Sequence, residues 1–316
     1  MREAYVTLPS YALGEHTHTV EESVSAGRTV TDVAGLRGAG FERHCIAGSQ
    51  TTAFDLARAA VEPIVKELGA LDAIIYATCL PQNGNVGPES LYRESRDVKY
   101  LMDYPASRLQ AYLQQDAAQV IGINQQACTS MLGSLRIARA LVAAEPATQR
   151  ILCITSDRFP EGAIYEQAYN LISDGAAAVV VTTEPRGFRI VGTGQITNGA
   201  MVIASDDETV GNYFSYTHRV ITETLASSGL RADQIDWVVP QNTAITAWKV
   251  LSRMFKIGMD RVWCPTLPSC GHIISGDNVV NLKSLIDSGN VKPGERLLLL
   301  MAGYGMNWQC TILEAV

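Results

Sequence analysis

Two stretches of this chain set an amphipathic run before a short apolar, β-branched run, in the same order. In "TTAFDLARAAVEPIVKELG" (51–69) apolar residues recur at three- and four-residue spacing, which predicts a helix with one buried face. "LDAIIYATC" (Leu71–Cys79) follows it as a buried strand. "YTHRVITETLASSGL" (216–230) and "IDWVVPQNT" (Ile235–Thr243) repeat that plan. A second echo comes after each strand. "CTSMLGSLRIARALVAAEPATQRILCITSD" (128–157) reads as helix, short loop, buried strand, and "GDNVVNLKSLIDSGNVKPGERLLLLMAGYG" (276–305) reads the same way. The pattern predicts two α/β halves in tandem, 1–183 and 184–316, each with buried strands between helices.

Other segments fill in this frame. "VIGIN" (120–124) reads as a strand. "ISDGAAAVVVTTE" (172–184) reads as a turn, set by Asp174-Gly175, leading into a fully apolar strand. "PQNGNVGPESLYRESRDVKYLMDYP" (81–105) is polar and turn-rich, an exposed excursion of the kind that shapes a site entrance.

Composition then narrows the possibilities. Of 316 residues, 47% are hydrophobic and 18% charged, enough for a large core. The net charge of −7, with no cluster of Lys or Arg, argues against nucleic-acid or anionic-membrane partners. The first residues form no signal-like apolar core, and no stretch reads as the ~18 apolar residues of a membrane span. Seven scattered cysteines form no disulfide framework, so a cytoplasmic protein with free thiols is expected.

Chemistry concentrates in a few places. Cys128 stands where a helix begins, with apolar Met131, Leu132, Leu135, Ala138, Leu141 and Val142 behind it. A thiol there faces unpaired N–H groups and the positive end of the helix dipole, which favour thiolate and can hold an oxyanion. The local pattern alone fits an inert buried cysteine as well. Cys45, Cys79, Cys153 and Cys310 sit in or beside strand-like runs and read as structural. His272 lies on a loop between Gly271 and Gly276, where it suits a general base oriented by Asp277, or a loop-holding hydrogen bond. Cys264, Cys270 and His272 match no usual zinc spacing, so no metal is expected. Gln241 and Asn242 stand at the carboxyl end of a strand, where α/β folds gather ligands, though polar capping explains them equally. Gly303 and Gly305 lie in a turn after a buried strand, without the Lys-Ser/Thr of a phosphate loop.

In order and spacing, these pieces resemble the thiolase fold, specifically its β-ketoacyl-ACP synthase III branch. "GFERHCIAGSQTTAFDLARAAV", "LDAIIYATCLP", "ACTSMLGSLRIARAL", "ISDGAAAVVV" and "GERLLLLMAGYGMNW" carry the likeness over nearly the whole chain. The resemblance implies two pseudo-duplicated halves in a five-layer αβαβα arrangement, with Cys128 as the acyl-carrying cysteine. It departs at both partners of that cysteine. The family's histidine in "P-H-Q-A-N" matches Gln241 in "PQNTA", and its asparagine in "G-N-T-S" matches His272 in "GHII".

Decarboxylative condensation needs two donors aimed at a developing enolate. Gln241 and His272 retain N–H groups, but a histidine backed by an aspartate suits proton removal from an attacking alcohol or amine better. A natural-product subgroup of the family resembles that description. The resemblance therefore implies an acyltransferase of secondary metabolism. Cys128 would take an acyl group from a CoA or carrier-protein thioester, which is substrate rather than cofactor, and no cofactor is expected. His272, oriented by Asp277, would deprotonate a small-molecule acceptor. Gln241 and Asn242 would position substrate, Arg37 would contact the CoA pyrophosphate, and Cys128 with Gly303 and Gly305 would form the oxyanion hole. A homodimer is implied. The alternatives are a condensing synthase III-type enzyme and a subunit of a heterodimeric ketosynthase-like complex. The presence of Cys128 speaks against a dead partner.

Overall fold

A computed structural model of the chain describes residues 2–168, 170–203 and 206–316, with the side chains of residues 206, 207, 209 and 210 outside the description. Nine strands form its large sheet: β1 (Tyr5–Leu13), β2 (Ala73–Ala77), β3 (Gln119–Ile123), β4 (Arg150–Asp157), β5 (Gly175–Thr182), β6 (Phe188–Thr197), β7 (Trp237–Val239), β8 (Arg296–Gly303) and β9 (Asn307–Ala315). Their order is β7-β8-β9-β6-β1-β5-β4-β2-β3. β1 and β6 touch through only two pairs, Tyr5 with Arg189 and Val6 with Phe188. On either side of that seam the plan repeats. β1 pairs antiparallel with β5, β5 with β4, and β4 parallel with β2; β6 pairs antiparallel with β9, β9 with β8, and β8 parallel with β7. The tandem pattern of the sequence is thus a tandem topology.

Helices stack these half-sheets into five layers. The helices that matter are α1 (Ala53–Val61), α2 (Pro105–Tyr112), α3 (Ser130–Ala144), α4 (Asp206–Ser227), α5 (Ile245–Phe255) and α6 (Asp277–Asp287). α3 and α6 form the central layer, where Leu132, Leu135 and Ala138 meet Val279, Leu282 and Leu285 between the two half-sheets. α1 and α2 cover the outer face of the first half-sheet, burying Ala57, Val61 and Leu109. α4 and α5 cover the second, burying Val220, Ile221, Trp248 and Leu251. Each fully buried Leu or Ile contributes roughly 1.5–3 kcal/mol, so the apolar periodicity is enough to drive this layering. This α/β arrangement of two repeated half-sheets in five layers is the one that the thiolase-fold resemblance implies.

Three expectations are corrected. The helix expected over 51–69 is α-helical only to Val61, because Pro63 removes a donor and the chain tightens to 3-10 over Glu62–Glu67. The strand expected over 235–243 is only Trp237–Val239, since Pro240 cannot continue the ladder. Ala127–Ala144, a mean hydropathy of 1.2 over 18 residues, is long and apolar enough to cross a membrane. Half of it is buried inside this protein, as the central-layer helix α3. The excursion 81–105 folds partly into short helical turns, including Glu89–Ser95.

Candidate active site

Three strand ends and one helix start converge on a cavity of about 1000 Å³. Cys128, His272, Gln241, Gly303 and Cys79 line it, with mostly apolar walls that include Phe159, Phe214 and Met306.

Cys128 occupies a single 3-10 turn, Ala127–Thr129, that runs into α3. Ala127 before it has φ 45°, a left-handed conformation that costs a non-glycine residue about 1–3 kcal/mol and is typical of functional turns. The turn is tied down from the second half. Gln309 Nε2 on β9 donates to Gln126 Oε1 (2.9 Å) and Thr129 Oγ1 (3.0 Å). Ser275 Oγ donates to the Ala127 carbonyl at 3.1 Å, and its hydroxyl meets that of Ser130 at 2.8 Å. Gly303, the last residue of β8, presses on the turn. A Cβ there would stand 2.7 Å from the Cys128 amide nitrogen, so only glycine permits this approach.

His272 arrives on the loop before α6. Its N–H donates to the Leu171 carbonyl, and its own carbonyl accepts from Ser173, each at 2.8 Å. Gly271 at φ 60° makes the bend; a Cβ there would meet Leu171 O at 2.6 Å. Ile274, two residues on, also has positive φ, 45°. Asp277, the first residue of α6, is fully buried and places Oδ2 2.5 Å from His272 Nδ1. It also accepts from the N–H groups of Ile273 (2.6 Å) and Asn242 (2.7 Å). With Nδ1 committed to Asp277, Nε2 is left for the Cys128 side.

Ionisation follows from this layout. The Cys128 thiol is lowered to about 5 by the Cys79 hydrogen bond, against the opposing effect of burial, and by the His272 hydrogen bond and charge. Burial pushes His272 down, but the Asp277 charge and hydrogen bond, with Cys128, carry it up to about 10. Both shifts favour a Cys128 thiolate beside a His272 imidazolium.

Other expected residues fall differently. Gln241 reaches the cavity but is pinned at both ends of its amide: Nε2 donates to Ala302 O (3.1 Å) and Oε1 accepts from Ala302 N–H (3.0 Å). Asn242, expected at substrate, has no exposure; its Nδ2 donates to Thr266 and Gly271, and its Oδ1 accepts from Asn281. It braces the loop under His272 instead. Gly305 does not line the cavity; at φ 115° it forms the β8–β9 turn against Asn307, leaving Gly303 as the glycine against Cys128. Arg37 pairs with Glu21 (2.7 Å) on the surface, away from the cavity lining.

Two neighbours escaped the sequence. Cys79, read as structural, puts its sulfur 4.0 Å from that of Cys128. Asp157, fully buried at the end of β4, accepts from the N–H groups of Cys79 (2.9 Å) and Leu80 (3.0 Å) and from Asn83 Nδ2 (3.2 Å). Burial raises it to about 7. Asp157 ends β4 and Cys79 stands two residues past its neighbour β2, but nothing in the linear pattern pairs them.

Comparisons with known proteins agree with the fold. The family models described as 3-oxoacyl-[acyl-carrier-protein] synthase III and its C-terminal part match residues 123–199 and 225–315. A beta-ketoacyl-[acyl-carrier-protein] synthase III of Chlamydia caviae is 26% identical over 246 residues, spanning 69% of this chain and 72% of that protein. Among solved structures, "ChlB3 [Aceyltransferase]" superposes with a TM-score of 0.82 at 21% identity, over 99% of this chain and 98% of its own. The 3-oxoacyl-[acyl-carrier-protein] synthase III of Aquifex aeolicus superposes with a TM-score of 0.77 at 19% identity, over 98% and 99%. At such identities the structural likeness concerns the fold.

Proposed function

This chain belongs to the 3-oxoacyl-[acyl-carrier-protein] synthase III family of thiolase-fold proteins, and within that family of acyl-transferring enzymes we propose that it is an acyltransferase to hydroxyl or amine acceptors. The observation that carries the reading is the line Cys128–His272–Asp277, a half-buried thiol beside a buried pair with 2.5 Å between His272 Nδ1 and Asp277 Oδ2.

The proton count closes over two half-reactions. Cys128 thiolate attacks the carbonyl of a CoA or carrier-protein thioester, and the Cys128 N–H beside Gly303 faces the oxyanion. Collapse breaks the carbon–sulfur bond, and the leaving thiolate takes the proton of the His272 imidazolium. The acyl-cysteine then stands beside a neutral imidazole. That imidazole removes the proton of the acceptor hydroxyl or amine as its oxygen or nitrogen attacks, and Cys128 leaves as thiolate. The starting pair is restored, while Asp277 holds the ring and supports its charge throughout. Condensation with a malonyl thioester needs a second donor near the ring; Gln241 is held by Ala302 through Oε1 and one Nε2 N–H and keeps its other N–H, so the experiment below separates the two reactions.

The proposal extends to a homodimer in cytoplasmic natural-product biosynthesis. β3 supports the dimer as an uncovered edge strand, with Val120 exposed. Light scattering at micromolar concentration measures this; a monomer would refute it. The function is tested by offering the protein acyl-CoAs and acyl-carrier proteins, locating the adduct by mass, and chasing it with alcohols, amines or malonyl thioester. Transfer lost in His272→Ala supports the reading. Unimpaired transfer in that variant, or release of carbon dioxide from the malonyl thioester, refutes it.

A further inference from the structure

The cavity holds a second thiol that the reaction above does not use. Cys79 follows β2, and its place is fixed by the backbone. Thr78 N–H donates to Ile123 O at 2.8 Å, and Asp157 takes the N–H groups of Cys79 and Leu80. The Cys79 side chain has one hydrogen-bond contact, the Cys128 sulfur at 4.0 Å. This separation is within reach for a hydrogen bond between two sulfurs.

Two thiols this close do not both ionise, because the second negative charge would face the first. The surroundings decide which one does. Cys128 faces His272, backed by Asp277, across the cavity. Cys79 faces Cys128 in front and the Asp157 carboxyl behind. Other titratable groups on the cavity wall are Glu166, Tyr213 and Tyr304, and both Glu166 oxygens are engaged by Val30 and Thr31. The charge therefore settles on Cys128, and Cys79 keeps its proton. A thiol is a weak donor to a neutral group and a stronger one to an anion.

We propose that Cys79 is a positioning residue for the nucleophile: its S–H donates to the Cys128 sulfur, holding that sulfur as thiolate and aiming it at the cavity. The role rests on Cys128 being the reactive thiol, as the proposed function has it. It needs no acyl donor to be observed. The ionisation balance agrees, since the Cys79 hydrogen bond is the largest single influence lowering Cys128, and Cys79 itself is pushed well up.

The test is the pH profile of Cys128 alkylation by iodoacetamide, followed by intact mass and peptide mapping. Wild-type protein is compared with Cys79→Ala, Cys79→Val and Cys79→Ser, and circular dichroism checks each fold. Loss of the donor in Ala and Val is expected to move the acid limb upward and slow alkylation at pH 6 by about tenfold. Ser, which retains an O–H donor, is expected to stay near wild type. Val serves if the Ala cavity disturbs the fold. A wild-type profile in Ala and Val overturns the proposal, and so does an equal shift in all three variants, which would make Cys79 mere packing. Failure of acyl loading with an intact alkylation profile would instead count against the proposed function alone.

Discussion

Replacing Asp277 with asparagine probes the machinery most sharply, because shape is kept while charge is removed. Three donors converge on the carboxylate: His272 Nδ1–H, the Ile273 N–H and the Asn242 N–H. An asparagine accepts on one oxygen only and turns its own NH₂ toward a donor. At least one buried N–H then loses its partner, at a cost of about 1–3 kcal/mol. The effect on the ring is larger. A histidine held at about 10 in place of its usual 6.5 prefers the imidazolium by roughly 5 kcal/mol, and Asp277 supplies most of that preference. Without it His272 is largely neutral at pH 7, and Cys128 loses its counter-charge. Alkylation of Cys128 at pH 7 should fall by about 10- to 100-fold, the gain in intrinsic nucleophilicity offsetting part of the lost thiolate. The sign of the pH effect also follows. A histidine with a raised value adds stability that is fully present below about 6.5 and is lost as pH rises through about 10. The stability gap between wild type and Asp277→Asn, read from urea melts, should therefore be widest at pH 6 and close toward pH 10. An unchanged alkylation profile, or a gap that widens with pH, would refute the reasoning.

Further outcomes are expected at three neighbours. Gly303→Ala drives a Cβ to 2.7 Å from the Cys128 nitrogen and should slow acyl loading at least tenfold, in a mass-resolved time course, with about 1–3 kcal/mol lost in urea melts. Gln241→Ala removes both bonds to Ala302 and should cost about 1–3 kcal/mol in the same melts, while alkylation of Cys128 keeps its pH profile. Asp157 is raised to about 7 from the usual 3.8, so its contribution is present below about 4 and lost as pH rises through about 7. Asp157→Asn should therefore gain on wild type between pH 4 and pH 7 in urea midpoint; a constant difference across that range would contradict the buried carboxyl.

The periodic layers were legible because each helix and strand buries one stripe or one run of apolar side chains. α3 and α6 could be placed from Leu132, Leu135 and Leu282, Leu285 alone. His272 and Asp277 were legible as a candidate pair, but a spacing of five positions does not show that the carboxylate reaches the ring; the buried start of α6 brings Oδ2 to 2.5 Å from Nδ1. Contacts made across the fold were not. Cys79 lies two residues past β2 and Asp157 ends β4, strands that lie side by side in the sheet but far apart in the chain. Their meeting with Cys128 depends on parallel register, which apolar runs do not encode. Asn242 and Gln241 misled for a related reason. Polar residues at a strand's carboxyl end serve ligand and backbone alike, and here backbone and loop groups take their amides. The short β7 and the break after Val61 trace to Pro240 and Pro63, visible in the sequence but outweighed there by apolar spacing.

The central claim is that an acyl group on Cys128 passes to an oxygen or nitrogen nucleophile through His272. It is tested most directly by isolating the acyl-enzyme and following its decay by intact mass, with an alcohol or amine acceptor in one arm and malonyl-carrier protein in the other. The expected result is loss of the acyl mass from Cys128 and appearance of an ester or amide in the first arm, abolished by His272→Ala. Decay only in the second arm, with carbon dioxide released and a new carbon–carbon bond in the product, would contradict it.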